Sequence, residues 1–544
     1  VLNFDETYYL TNNLDVAATI RAGLVSSALE HFKTSGFREG RDPHALFDVA
    51  YYLLQNPDVD AAGVNPLDHF NASGANEGRN PNPHFDTAYY LEQNPDVANA
   101  GVNAFEHFIK FGADEGRNPS ANFDVTFYRD NNPDVRDAGI NPLEHYLGFG
   151  LNEGRAPIPD PFDLLELRLS NLTSNGNGTS SSPSVSADGK TVVFGSSATN
   201  LIVGQTDNNE QTDIFLFDAN TKSLTNLTVG SNGHNTNASV SYNGNAVAFS
   251  SIATNLVDGQ IDSSSSDIFL YDATTQTTKN LTFGANAGSY NASISGDGNF
   301  VVFESDATNL VNGQSDTNGL KDIFIYDVNS QTVQNLTLGA NGESIKAVTS
   351  QDGMIVVFES DATNLVSGQN DNNLSRDIFL YNANTGKMTN LTHGGYSGSH
   401  NASVSSDGKT VVFNSYANTL VTGQADVNGS SDIFVYDVET QTTSNITHGA
   451  NGNSFFPEVS ANGETISFYS YASNIHGAGK GDSWINIILY NISSRSAKNI
   501  TFDGSDNSYN PSASSDGLIG AFERGSGEYT PSDYKVDIVF WELI

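Results

Sequence analysis

Four loops in the C-terminal two-thirds of the chain share one oxygen-rich spacing. Asp207-x-Asn209-x-x-x-Asp213 returns as Asp316/Asn318/Asp322, Asp371/Asn373/Asp377 and Asp426/Asn428/Asp432, and a shortened form keeps Asp262 and Asp267. Calcium takes six to eight oxygen ligands, and an Asp-x-Asn start followed by a later Asp supplies several from one loop. The glycine and terminal glutamate of an EF-hand loop are missing. Calcium is the expected cofactor, and the alternative is that these groups cap turns and bond loop amides. The pattern breaks at Gly481-Asp482 and around Asp533, so no metal is expected there.

A second constellation appears when the repeats are aligned. One column reads Ser181, Thr236, Tyr290, Ile345, His400, Phe455 and Tyr509, and the next reads Ser182, Asn237, Asn291, Lys346, Asn401, Phe456 and Asn510. Aromatic faces beside amides suit a sugar or peptide. The expected ligand-binding residues are Tyr290, Asn291, His400, Asn401, Phe455, Phe456, Tyr509 and Asn510; the bland alternative is rim packing. Catalytic signatures are missing. There is no His-Glu-x-x-His, no Gly-x-Ser-x-Gly and no cysteine, and Gly479-Lys480 lacks phosphate-loop spacing. A non-enzyme is expected.

The elements that must position these residues follow from one dipeptide. Asp188-Gly189 recurs as Asn243-Gly244, Asp297-Gly298, Asp352-Gly353, Asp407-Gly408, Asn462-Gly463 and Asp516-Gly517, at spacings of 55, 54, 55, 55, 55 and 54 residues. Asp-Gly or Asn-Gly between apolar runs signals a hairpin, here expected as a type I′ turn. Each unit carries four apolar runs, and the two inner ones are apolar on both faces. Four short antiparallel strands, repeated and stacked, give a mainly β fold: a seven-bladed β-propeller. The last unit ends at Asp537–Trp541 without a fourth strand, while Leu167–Thr173 resembles the fourth strand Leu224–Thr228. Strand 165–173 is therefore expected to close the ring and remove its free edges.

A different repeat fills residues 1–157. Glu-Gly-Arg returns at 39–41, 77–79, 115–117 and 153–155, and Phe-Asp at 4, 47, 85 and 123. Asp48, Asn56-Pro57 and Asn65-Pro66 read as helix starts and Gly63 as a stop. An N-terminal α-helical, solenoid-like repeat domain is expected. His31, His69, His107 and His145 read as packing residues bonded between copies, and Arg41, Arg79, Arg117 and Arg155 as bonding the next copy. Prolines 157, 159 and 161 suggest a stiff linker over 158–163, with the propeller over 164–544.

Composition narrows the partners. The chain of 544 residues holds 63 acidic and 24 basic residues, a net charge of −39. Such a surface repels nucleic acid and anionic lipid. No apolar run is long enough to span a membrane. Asn-Leu-Thr or Asn-Ile-Thr ends each unit and is a formal glycosylation sequon, but its fixed place in a strand favours a structural role.

The motifs Asp-Gly-Lys-Thr-Val-Val-Phe, Ser-Asp-Ala-Thr-Asn-Leu-Val and Asp-Ile-Phe-x-Tyr-Asp resemble the PD40-type propeller repeats of TolB-like proteins over about 162–544. The resemblance implies binding rather than a reaction. The Tyr-Leu…Asn-Pro-Asp-Val…Glu-Gly-Arg copies resemble helical repeats of bacterial exported, calcium-associated proteins. The expectation is an extracellular or cell-surface bacterial protein that binds a surface protein or polysaccharide, with self-assembly through 1–157. The rivals are a carbohydrate-active lyase or hydrolase using the propeller mouth, and a filament or surface-layer subunit.

Overall fold

The computed structural model describes residues 2–544 apart from 152, 154, 160, 161, 163, 164, 206–208, 210, 261–264, 314–317, 370–374, 422–427, 476–484, 502–505 and 527–534. The chain divides into two compact units, Val1–Asp163 with Ser493–Ser496, and Leu164–Ile492 with Ala497–Ile544. No helix among the described residues is long and apolar enough to cross a membrane.

The first unit repeats one element order four times. In the second copy Asp48 accepts the Tyr51 N–H at 2.8 Å and starts helix Val49–Gln55. Pro57 opens helix Pro57–Ala62, and Gly63 ends it at φ +63°. Asn65 caps Pro66–His69, which runs into the π-turn Phe70–Gly74. Tyr52 reaches His69 Nδ1 at 2.9 Å across the surface of Gly74, where any Cβ would strike the Tyr52 hydroxyl. The same tyrosine–histidine bond forms in every copy: Tyr9–His31, Tyr90–His107 and Tyr128–His145. These histidines thus bond within their own copy, not between copies. The arginines do likewise. Arg79 forks onto Asp58 at 2.8 and 2.9 Å and also holds Asn56 and Glu77. The reason is reach: the Glu-Gly-Arg turn comes back over the start of the Asn-Pro-Asp helix it follows.

The second unit is a seven-bladed β-propeller, with seven four-stranded antiparallel sheets among the described residues. Six blades are contiguous in sequence. The seventh combines Ser508–Ala513, Ile519–Ser526 and Lys535–Leu543 with Leu167–Asn171 as its outermost strand. Leu167 faces Leu543, Leu169 faces Trp541 and Asn171 faces Val539.

The recurring turn differs from the expected type I′. Only its glycine has positive φ, +69° at Gly189, while Asp188 does not. The side chains explain this. Ser186 Oγ donates to Asp188 Oδ1 at 2.8 Å, that oxygen accepts the Lys190 N–H at 3.1 Å, and Ser186 Oγ accepts the Thr191 N–H at 3.0 Å. A serine two residues before the aspartate thus builds a wider Asx turn in which one glycine supplies the left-handed residue.

In the first five blades the aspartate that opens the third strand clasps the outer strand. Asp322 is 1% exposed; its two oxygens accept from Asn335 Nδ2 and Thr337 Oγ1, both at 2.7 Å. Thr337 Oγ1 in turn accepts the Ile323 N–H at 3.0 Å. Asp213, Asp267, Asp377 and Asp432 make the same pair of bonds with Asn226/Thr228, Asn280/Thr282, Asn390/Thr392 and Asn445/Thr447. Asp537 is held by Asn171 and Thr173, which carries the clasp across the ring closure. The Asn-x-Thr sequence therefore serves the blade interior. Removing the acceptor leaves two buried donors unmatched, each costing about 1–3 kcal/mol. Asp322→Ala should lose about 2–3 kcal/mol in urea unfolding. Asp322→Asn should lose less, because the sixth blade already uses Asn486 there, bonded by Thr501 Oγ1 at 3.1 Å.

Candidate functional site: a blind well on the propeller axis

Each innermost strand carries a bulge near its start. Ser181 pairs with Gly195 and Ser184 with Val193, so two residues are pushed out between them; the other six blades repeat the shift. The bulged residues are Ser182, Asn237, Asn291, Lys346, Asn401, Phe456 and Asn510, all with φ between 46° and 54°. None is glycine. Left-handed backbone is costly for Phe and Lys, and it persists only where the surroundings hold it. Here it turns seven side chains toward the axis, where they line a well of about 450 Å³.

Carboxylates of neighbouring blades hold part of this geometry. Glu304 accepts the Lys346 N–H at 2.8 Å, Glu359 the Asn401 N–H at 2.7 Å, and Glu523 the Ser182 N–H at 2.7 Å. Each glutamate sits next to last or nearby in a second strand and braces the bulge of the following blade. Glu359 is fully buried. Burial opposes its charge, yet His400 Nδ1 at 3.2 Å, Lys346 Nζ at 3.3 Å and the Asn401 N–H together hold its carboxyl below the usual range. Lys321 donates to Glu304 at 3.0 Å and lies 4.8 Å from the centre of the Tyr290 ring. Burial works against the Lys321 ammonium, but Glu304 keeps its pKa raised.

The adjoining arc is aromatic, with Lys346 Nζ 5.8 Å from the Phe456 ring centre. Phe455 touches Tyr416, Tyr469 and Tyr471 with ring centres 6.1, 5.7 and 6.3 Å apart. Phe456 stacks on Tyr469 at 5.7 Å and 18°, and Tyr509 meets Tyr469 edge-on at 5.5 Å. Tyr416, Phe456 and Tyr471 are 41%, 41% and 51% exposed. The mouth thus has a charged side, centred on blades three to five, and an aromatic side on blades five to seven.

The other end of the axis is closed. The residues before the seven turns form a circuit of main-chain hydrogen bonds: Ala187 to Tyr242, Tyr242 to Gly296, Asp297 to Gln351, Gln351 to Ser406, Ser406 to Ala461, Asn462 to Ser515, and Ser515 back to Ala187, at 2.7–3.1 Å. Tyr242 lies flat over Gly296, the residue before the next blade's turn, and Ser406 Oγ donates to Gln351 Oε1 at 2.6 Å across another pair of these positions. Burial, first, and the charge of Glu458, second, push the Tyr242 hydroxyl up to about 12. The well is blind on that side.

The structure gathers Asn291, Asn401, Phe456 and Asn510 directly on the well, with Tyr290, His400, Phe455 and Tyr509 one step behind, paired to Glu304, Asn414, Tyr469 and Glu523. Sequence reasoning missed Glu304, Glu359, Glu523, Tyr469 and Glu458. A column comparison carries the signal: second strands read Gly195, Ser250, Glu304, Glu359, Asn414, Tyr469 and Glu523 at one position. First strands read Ser184, Ser239, Ser293, Val348, Ser403, Glu458 and Ser512 at another.

The expected calcium ligands divide. Asp207, Asp262, Asp316, Asp371, Asn373 and Asp426 lie outside the described residues. Asn209, Asn318 and Asn428 donate to the carbonyls of Ser231, Ala340 and Ala450 and accept a loop N–H two residues on. Asp213, Asp267, Asp322, Asp377 and Asp432 have both oxygens engaged in the clasps described above. These described donors are hydrogen-bonded in turns and clasps, and the rest of each expected ligand set lies outside the described residues.

One mixed cluster lies in the first unit, where Asp5, His44 and Glu144 bring ligand atoms within 4.8 Å of one another. His44 Nδ1 accepts the Leu46 N–H at 3.1 Å, which leaves the ring proton on Nε2, 3.6 Å from Glu144. In this arrangement His44 Nε2 faces the Glu144 carboxylate as a polar contact.

Fold and site together define a β-propeller with an asymmetric axial well. No protein-family model matches the chain, and a search of curated proteins finds no match. Similar solved structures include TolB from Acinetobacter baumannii, at 16% identity over 55% of this chain and 65% of that one, TM-score 0.33. This chain thus spans just under two thirds of that TolB. An oligogalacturonate lyase in complex with manganese matches at 14% over 72% and 98%, TM-score 0.44. An oligogalacturonate lyase from Vibrio parahaemolyticus matches at 12% over 70% and 96%, TM-score 0.46. At these identities the likeness is one of fold alone.

Proposed function

We propose that the propeller is a carbohydrate-binding module of an extracellular or cell-surface protein, with the axial well as its ligand site. The observation that carries this reading is the six-ring aromatic arc beside a well lined with amides and hydroxyls. Sugar rings present apolar C–H faces and a rim of hydroxyls, so they match aromatic faces on one side and Asn or Ser on the other. Pre-formed walls keep the ordering cost of binding low. Calorimetric titration with neutral oligosaccharides tests the reading. Binding should weaken about tenfold, or about 1.4 kcal/mol, in Phe456→Ala, and also in Asn401→Ala, with melting temperatures close to wild type. Equal affinity in both variants contradicts it. Release of shorter products would instead favour the lyase or hydrolase reading.

Calcium in the acidic loops is a separate proposal, supported by the Asp-x-Asn spacing and the net charge of −39. A chelator should then lower the melting temperature and calcium restore it, because a ligand of the folded state stabilises by mass action. A melting temperature indifferent to both ends that proposal.

A further inference from the structure

We propose that the well takes a saccharide bearing a primary amine, with the ammonium seated against Glu458. This inference rests on the carbohydrate reading above and adds the chemical class of the ligand.

Glu458 is the one carboxylate in a column that otherwise reads serine or valine, and it lines the well. Its surroundings differ from those of the other three glutamates near the axis. Glu304, Glu359 and Glu523 each accept a main-chain N–H and at least one side-chain donor, so they are braces. Glu458 accepts only Ser512 Oγ, at 3.3 Å, and no partner among the described residues holds its other oxygen. The nearby cations are engaged elsewhere: Lys321 on Glu304, Lys346 on Glu359 and Asn401, and Arg376 on Asp361. Glu458 is half-buried in the wall of the well, and a carboxylate so placed with one hydrogen bond and no counter-charge is costly. A cation brought by the ligand would supply the missing partner.

The groups around it specify what carries that cation. Ser184, Ser239 and Ser403 Oγ accept the N–H groups of Val240, Ile294 and Val459 at 3.2–3.3 Å. A hydroxyl that accepts from the main chain still has its own hydrogen to donate. Of these, Ser239 and Ser403 line the well, so it offers hydroxyl donors and one carboxylate acceptor, and the rim offers aromatic faces. A polyol with one ammonium satisfies all three, whereas a lysine side chain would leave the hydroxyl donors facing methylene groups.

Burial also pushes the Glu458 carboxyl up to about 8. The titratable groups on the elements around it are Tyr242 at the floor, His400 and Lys346 on strands toward the charged arc, and Tyr469 and Tyr509 on the flanking strands. At pH 7 the unliganded carboxyl holds its proton. Pairing with an ammonium returns that proton to the solvent, so amine binding should be coupled to proton release.

The test uses the full chain and three trisaccharides of one linkage: glucosamine, N-acetylglucosamine and glucose, titrated at pH 7 in two buffers of different ionisation enthalpy. The glucosamine form should bind at least tenfold tighter than the other two, with proton release. In Glu458→Gln the preference for the glucosamine form over the other two and the proton release should both vanish. If the three sugars bind alike in wild type, the amine assignment is overturned and the carbohydrate reading stands. If none binds, both fall. A lysine tripeptide that binds tighter than glucosamine, relative to its acetylated form, overturns the saccharide assignment.

Discussion

Glu458→Gln should make the protein more stable in alkali and hardly change it in acid. The folded state holds the Glu458 carboxyl at about 8, against an ordinary glutamate near 4.5 when the chain unfolds. Below pH 4.5 the group is neutral in both states and contributes no difference. As pH rises toward 8 the unfolded chain releases this proton first, so folding must retain a proton that the solvent would take. The penalty is complete above pH 8. At 1.36 kcal/mol per pH unit it amounts to at most about 5 kcal/mol. Glutamine has the shape of the protonated carboxyl and keeps an acceptor for Ser512 Oγ, so the variant escapes the penalty. Urea unfolding should show near-equal stability at pH 4.5 and a gap of several kcal/mol at pH 9. A gap independent of pH would mean that Glu458 is well solvated and its carboxyl ordinary.

Trp541→Ala should destabilise the propeller by about 3–5 kcal/mol, the cost of emptying a large buried site. Trp541 has no exposed surface and is the largest fully buried side chain among the described residues. It lies against Gly520, where any Cβ would collide with the indole ring, and stands 6.1 Å from Phe522. Its strand is also the one that pairs with Leu167–Asn171, so the cavity opens at the seam where the first and last parts of the propeller meet. Hydrogen exchange should therefore rise first in Leu167–Asn171 and Lys535–Leu543, and less in the third and fourth blades. A loss under 1 kcal/mol, or exchange spread evenly over the seven blades, contradicts a seam held by this residue. Gly520→Ala gives the converse check, since it overfills the same space.

The blade count and the strand order were legible because Ser-x-Asp/Asn-Gly repeats at 54 or 55 residues, and each copy brings the same four apolar runs. The type of turn was not. Its form depends on Ser186 Oγ bonding Asp188, a side-chain preference that a dipeptide rule does not include. In the first unit the helix starts and the Gly63 stop were legible from capping residues alone. The partners of Arg79 and His69 were not, because spacing along the chain does not say which way a turn folds back. At the mouth, the aligned columns group Asn291, Asn401, Phe456 and Asn510, which line the well together. Their left-handed backbone was invisible, since four asparagines tolerate it but Phe456 and Lys346 give no such signal. Glu304, Glu359 and Glu523 stand out from no pattern within their own strands. Their role becomes evident only when a bulge in the next blade brings an N–H to them.

The central claim is that a sugar occupies the axial well. A crystal of the full chain soaked with the glucose trisaccharide at saturating concentration tests it most directly. The account predicts density on the axis, with one sugar face against Phe456 and hydroxyls within hydrogen-bond distance of Asn401 and Asn510. Density at another surface of the propeller, or an empty well in a crystal whose well opens to solvent, would contradict it.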